Sequence, residues 1–359
     1  MRRISKKIMC GGVAIGGGAP ISIQSMTNTD TRDVEATVAQ VRRLEVAGCE
    51  IVRISVPDSQ AAEAFGSIRR KCRIPVVADI HFDYRLAVAA IENGADKVRI
   101  NPGNIGSREN VEAVVKAASA RKIPIRIGVN SGSIEKEILA KYGGPTAEGL
   151  AESALKNIKL VESMDFDDIC ISAKASDVVM NYNAYKMIAE KTDYPIHIGV
   201  TEAGTPSTGI IKSSIGLGAL LLEGIGDTMR VSLTADPEKE IPVAREILKN
   251  TGHFKGGIDF VSCPTCSRTK TDLTHIADDI MMRLGRIEQE MIERSLPKLK
   301  IAVMGCAVNG PGEAKDADLG VACGDGKGVI FVDSQIVRTV FEKDIPDAII
   351  SEVRKKLEL

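Results

Sequence analysis

From residue 20 to about residue 250 the chain repeats one unit, a short Val- and Ile-rich run that ends in polar residues and is followed by a longer helical stretch. The runs are PISIQSM (20–26), EIVRISV (50–56), PVVADIH (75–81), KVRINPG (97–103), PIRIGVN (124–130), DICISAK (168–174), PIHIGVT (195–201) and TMRVSLT (228–234). Between them lie segments such as DVEATVAQVRRLEVAG, which opens on an acidic residue, carries apolar residues at helical spacing and stops at Gly48. Eight strands alternating with helices over about 230 residues is the arithmetic of a closed (β/α)8 barrel of the TIM type. An open doubly wound sheet shares the alternation, but a count of eight favours closure. CGGVAIGGGAP, just before the first run, reads as a glycine-rich hairpin.

After about residue 255 the rhythm changes. GGIDFVSCP reads as a strand, TDLTHIADDIMMRLGRIEQEMIE as one long helix, KLKIAVMGC and GVIFVDSQIV as strands, and DIPDAIISEVRKKL as a terminal helix. The expectation is therefore α/β, a barrel over 1–255 that binds substrate and a small α+β domain over 256–359, divided in the loop NTGHFKGG.

Composition narrows the function. A formal charge of -1, 44% hydrophobic residues and no Trp argue against a nucleic-acid surface. No apolar run reaches the roughly 18 residues of a membrane span. The basic start MRRISKKIMCGG lacks the apolar stretch of a secretory signal. Eight cysteines without an export signal suggest reduced thiols in a cytoplasmic protein.

Side chains two or four apart on a strand share a face, and barrels of this kind work at the C-terminal strand ends. Arg53 and Ser55 then share a face, as do Asp79 and His81, Arg99 and Asn101, Arg126 and Asn130, Ser172 and Lys174, and Arg230 and Ser232. Buried charge is costly unless paired, and a buried ion-pair plug would satisfy any one of these arginines. Five cations together (Arg53, Arg99, Arg126, Lys174, Arg230) outnumber the evident carboxylates, Asp79 and Glu202. The surplus implies an anionic ligand, and guanidinium forks match phosphate oxygens. A phosphorylated small molecule follows, and the number of cations suits a diphosphate.

CPTCSRTK (263–270) presents Cys263 and Cys266 three apart, a spacing used by zinc knuckles, redox dithiols and iron–sulfur sites alike. The next cysteine, Cys306, ends a strand, and Cys323 lies further on. No second CxxC pair completes a zinc ribbon, and no CxxxCxxC is present. Three thiolates with an atypical fourth ligand suit a [4Fe–4S] cluster with one exchangeable corner. Glu313, in the loop bent by Gly310, Pro311 and Gly312, is one candidate for that corner, and Cys323 competes with it. Cys10, Cys49, Cys72 and Cys170 stand alone, as small core side chains do. His253 and His275 read as structural or solvated.

CPTCSRT and MGCAVNGPGEAKDADLG, with APISIQSMTNTDT, ADIHFD, VRINPGN, RIGVNSGS and GVTEAG before them, resemble bacterial 4-hydroxy-3-methylbut-2-enyl diphosphate synthases. The likeness runs from about residue 3 to the C-terminus, in the form that lacks the extra domain of plant-type members. It implies reductive opening of 2-C-methyl-D-erythritol 2,4-cyclodiphosphate in the non-mevalonate isoprenoid route, with two electrons from flavodoxin or ferredoxin. It also implies a [4Fe–4S] cluster on Cys263, Cys266, Cys306 and Glu313, and a homodimer that places each cluster domain over the partner's barrel. On this reading Arg53, Arg99, Arg126 and Lys174 hold the diphosphate, helped by Asn101, Asn130, Arg230 and Ser232. Glu202 becomes the proton donor, Asn309 a hydrogen-bond partner of substrate or cluster, and His81 the same or an orienting group. Two rivals stand beside it: a barrel like dihydropteroate synthase with a structural zinc domain, and an iron–sulfur sensor without catalysis.

Overall fold

The computed structural model describes residues 2–306, 314 and 316–359. It divides into two compact units, Met1–His253 and Phe254–Leu359.

The first unit opens with an antiparallel hairpin, β1 (Ile8–Cys10) and β2 (Val13–Ile15). Eight parallel strands follow: β3 (Ser22–Met26), β4 (Ile51–Ser55), β5 (Val76–Asp79), β6 (Lys97–Ile100), β7 (Ile125–Asn130), β8 (Ile169–Lys174), β9 (His197–Gly199) and β10 (Thr228–Arg230). They pair in chain order, β10 returns to β3, and a parallel bridge from Ile171 to Ile196 joins β8 to β9 and closes the ring. The first helix, Val34–Ala47, begins where the Asp33 carboxylate accepts from the Ala36 amide, and ends at Gly48 with φ 100. Both ends follow ordinary capping chemistry. Its buried residues, Val38, Val41 and Leu44, recur at helical spacing and face the barrel. The hairpin covers the N-terminal mouth, where Ile8, Cys10 and Ile15 pack on Ile51, Val77 and Cys170.

Following the strand register around the ring sorts the inward side chains into tiers of four. From the hairpin end upward they are Ile51, Lys97, Cys170 and Thr228; Gln24, Val77, Arg126 and His197; Arg53, Arg99, Ser172 and Arg230; and Met26, Asp79, Gly128 and Gly199. Branched apolar residues fill such tiers in most barrels of this kind. Here every tier holds at least one charged residue, and the third holds three arginines.

The second unit is one five-stranded sheet in the order β11 (Ile258–Ser262), β12 (Leu299–Met304), β13 (Leu319–Gly324), β14 (Lys327–Val332), β15 (Gln335–Phe341). The first three are parallel and the last three antiparallel. Helix Leu273–Glu293 buries Ile276, Ile280, Leu284, Ile287 and Met291 as one stripe, and helix Ile345–Leu357 adds Ile345, Ile349 and Val353 to the same core. GVIFVDSQIV is two strands, where one was expected. Asp333 (φ 49) and Ser334 (φ 64) form a tight two-residue turn between β14 and β15. Without the usual glycine, the turn left no mark in the sequence.

Among the described residues no helix is long and apolar enough to cross a membrane.

Candidate active site

At the C-terminal end of the barrel Arg53, Asp79, His81, Arg99, Arg126, Asn130, Ser172, Lys174, Thr201, Arg230 and Ser232 line a cavity of about 120 Å³. Strand parity thus brings together every cation predicted for the site. Asn101 is buried beside the cavity instead of lining it. Its Oδ1 accepts from the Gly103 amide (3.2 Å) and its Nδ2 donates to Ser133 Oγ (3.1 Å), so it joins the loops after β6 and β7. Glu202 is exposed and does not line the cavity, although its neighbour Thr201 does. It stands in the left-handed region at φ 51, a conformation that costs on the order of 1 kcal/mol for a residue with a side chain. Asn309 and Glu313 lie outside the described residues.

Asp79 is the hub. It is 2% exposed, with Arg99 Nη1 3.2 Å from one oxygen and Arg53 Nε 3.6 Å from the other, and the half-exposed His81 ring at 3.8 Å. Burial pushes the Asp79 carboxyl up, but Arg53, Arg99 and Arg126 together outweigh it and hold it at about 2. The second carboxylate is Glu240, which the sequence reading missed. It takes Arg230 in a fork, with both contacts at 3.1 Å, and accepts from Ser25 Oγ and the Leu233 amide. Glu240 opens the helix after β10, so strand parity could not reveal it.

The remaining cations lack such partners. Arg126 is fully buried, and its Nε and Nη1 have no hydrogen-bond partner among the described residues. Burial and then Arg99 lower its guanidinium to about 10. Burial, followed by repulsion from Arg126, Arg53, Arg230 and Arg99, pushes the Lys174 ammonium far below its ordinary range. Cations depressed by desolvation and by one another gain most from an anion placed among them.

Two glycines make room for them. A Cβ on Gly128 would stand 2.3 Å from Arg99 Nε, and one on Gly199 2.5 Å from Lys174 Nζ. Gly128→Ala is therefore expected to swing Arg99 off Asp79 and off the Gly128 carbonyl without breaking the barrel. Calorimetric titration with inorganic pyrophosphate should show affinity about tenfold lower, the loss of one charge-assisted contact. Unchanged affinity would remove Arg99 from the anion cradle.

In the second unit, β11 and β12 are parallel neighbours, so the loops that follow them leave side by side. The Cys263 amide bonds to the Val303 carbonyl (3.3 Å), and Cys263 Sγ accepts from the Gly305 amide (3.1 Å), one residue before Cys306. Cys266 is exposed, and hydrogen bonds from Arg268 and Thr269 push its thiol down. The Arg268 guanidinium is held up by its bond to Cys266 and by the nearby Cys306 and Cys263. One cation thus senses all three sulfurs. Thiols that receive N–H donors beside a guanidinium fit a group held by thiolates, as iron–sulfur clusters are. No three described His, Cys, Asp or Glu residues close on a single ion. Cys323 lies in the apolar core, where burial raises its thiol to about 11.

Residues 5–245 match the family model described as the GcpE TIM-barrel domain, and 259–355 the GcpE protein C-terminal domain. The 4-hydroxy-3-methylbut-2-en-1-yl diphosphate synthase (flavodoxin) of Clostridium perfringens is 56% identical over 349 residues, covering 97% of this chain and 98% of that one. The chain belongs to the 4-hydroxy-3-methylbut-2-en-1-yl diphosphate synthase family. The synthase of Geobacter sulfurreducens is 54% identical, with 99% of each chain covered. Among solved structures, 3-dehydroquinate dehydratase from Geobacillus kaustophilus superposes with a TM-score of 0.52 at 15% identity, over 70% of this chain and 99% of that one. The Yersinia pestis dihydropteroate synthase gives 0.50 at 10%, over 68% and 98%. At those identities the likeness is one of barrel fold alone. The dihydropteroate-synthase-like alternative therefore got the barrel right, and the synthase family supplants it on function.

Proposed function

We propose that this synthase-family chain takes 2-C-methyl-D-erythritol 2,4-cyclodiphosphate into the cation-lined cavity. It converts it to 4-hydroxy-3-methylbut-2-enyl diphosphate and water, with uptake of two electrons and two protons. The observation that carries this reading is the excess of buried cations over carboxylates at the strand ends. Arg53, Arg99, Arg126 and Lys174 grip the diphosphate, and Asn130, Arg230, Ser172 and Ser232 complete its hydrogen bonds. Asn101 acts from behind by fixing the two loops. Asp79 keeps Arg53 and Arg99 aimed inward and is too acidic at about 2 to serve as a proton donor.

Cys263, Cys266 and Cys306, with Glu313 as a displaceable fourth ligand, would hold a [4Fe–4S] cluster. Such a cluster, when bound, supplies one-electron transfer and an iron site that can accept an oxygen ligand. Reduced flavodoxin, the donor named for the relatives, supplies the electrons. The reading includes a homodimer in which each cluster-bearing unit serves the partner's barrel, and this rests on the family resemblance.

The leaving hydroxyl needs a proton. Glu202 is proposed to give it, with Asn309 and His81 as hydrogen-bond partners. Its place one residue past the cavity-lining Thr201 supports that role. Glu202→Gln should leave iron content unchanged and lower turnover by at least about a hundredfold, the contribution of a general acid. Native turnover in that variant would assign the proton elsewhere.

The decisive test of the whole reading is anaerobic. A brown protein carrying about four iron and four sulfide per chain, active only with a reductant, is expected. A colourless zinc protein without turnover would overturn it.

A further inference from the structure

Below the cavity the barrel holds polar groups of which the proposed chemistry uses only Arg126. Lys97 stands in the lowest tier beside Cys170, and Gln24, Arg126 and His197 share the tier above. Lys97, Arg126 and His197 are fully buried and Gln24 is 1% exposed. Lys97 Nζ, Arg126 Nε and Nη1, His197 Nδ1 and both polar atoms of Gln24 have no hydrogen-bond partner among the described residues. Of these four side chains only Arg126 also reaches the cavity. Orphaned buried donors cost stability, and a cation without a counter-charge costs more.

Among the described residues no carboxylate is ion-paired to Lys97 or Arg126; Asp168 feels Lys97 without an ion pair, and burial raises its carboxyl to about 6. Asp79 is engaged by Arg53 and Arg99, and Glu240 by Arg230. Cys10 and Cys170 share an electrostatic neighbourhood with Lys97 and Arg126, but burial raises both thiols, Cys10 to about 11, so neither is an anion. Burial, Arg126, Lys174 and Lys97 keep the His197 ring neutral. Its Nε2 lies 3.4 Å from Lys174 Nζ, and as acceptor there it leaves the proton on Nδ1. The orphans are then almost all donors: an ammonium, a guanidinium, an imidazole N–H and an amide NH₂. A water would also need acceptors, and among these four side chains Gln24 Oε1 alone provides one.

Charge sets the class of guest. Arg53, Lys97, Arg99, Arg126, Lys174 and Arg230 face Asp79 and Glu240, a surplus of four cations among these described side chains. A cyclic diphosphate brings two negative charges. We propose that the barrel floor binds one monovalent, halide-class anion among Lys97, Arg126, His197 and Gln24, beneath the diphosphate. The charge count rests on the diphosphate reading, whereas the orphaned donors stand without it.

The test uses the full chain, with thermal unfolding at fixed ionic strength in sodium bromide against sodium gluconate, each with and without saturating inorganic pyrophosphate. Bromide should raise the Tm by about 3 °C over gluconate, the shift for a ligand some tenfold above its dissociation constant. The increment should persist with pyrophosphate bound and vanish in Lys97→Met. Gln24→Leu, which leaves every charge in place, should reduce it. Bromide-soaked crystals of the native chain should show an anomalous peak among the four side chains, which does not depend on either variant folding. No difference between bromide and gluconate, an increment abolished by pyrophosphate, a native increment in Lys97→Met, or water at the peak position would each overturn the floor site. Stabilisation by bromide without any by pyrophosphate would instead sink the diphosphate reading and leave the floor site standing.

Discussion

Cys263→Ala is expected to strip the synthase of bound iron and visible colour, and to lower turnover by more than the roughly hundredfold that loss of a mere outer partner of a metal site can cause. Cys263 is where the local structure is most committed. Its amide closes on β12, and its sulfur receives the Gly305 amide, which orients it toward the loop that carries Cys306. A methyl in its place loses the thiolate and leaves that amide without its acceptor. Cys263 belongs to the second unit and the cations of the cavity to the first. Inorganic pyrophosphate should therefore bind the variant within about twofold of the native affinity, as independent sites do. Iron analysis, absorption spectra and calorimetry on one anaerobic preparation check all three. Retained iron with lost activity would make Cys263 a substrate contact instead of a ligand. Iron and activity both retained would remove it from the site.

What could be read ahead of the structure followed from local rules. Strand alternation is set by the pleat, so Arg53, Arg99, Arg126, Lys174 and Arg230 could be assigned to one surface before any tertiary contact was known. The same parity extended backwards from Arg99 and Thr201 reaches Lys97 and His197, which open their strands at the end away from the cavity. Glu240 was not legible. It reaches Arg230 from a helix ten residues on, and helix termini rich in acidic residues usually face solvent. Glu202 was read as one of the two evident carboxylates by its place after β9. It is exposed and outside the cavity lining, and a non-glycine residue gives no warning of its left-handed backbone. The β14–β15 turn failed to announce itself for the same reason.

The barrel's stability should hang on Asp79, the buried carboxylate that Arg53 and Arg99 share. Asp79→Asn removes the counter-charge shared by Arg53 and Arg99 while keeping the size of the side chain. Breaking a buried pair from one side costs about 3–5 kcal/mol, which for a domain of this size is a Tm lower by roughly 10 °C. Inorganic pyrophosphate should restore much of that loss, because it brings negative charge to the same guanidiniums. The native protein and the variant should also differ in acid. Asp79 sits at about 2 in the fold against an ordinary 3.8, so its contribution is fully present above about pH 4 and fades as pH falls through 2. The size of that contribution is about 2 kcal/mol. The native Tm should therefore fall more steeply than that of Asp79→Asn between about pH 4 and pH 2, narrowing the gap between the two curves. A variant as stable as the native chain at neutral pH, or an acid limb as steep as the native one, would show that the arginines are held by something other than Asp79. Stabilisation by pyrophosphate that is larger in Asp79→Asn than in the native protein would show the reverse, that carboxylate and ligand answer the same unpaired charge.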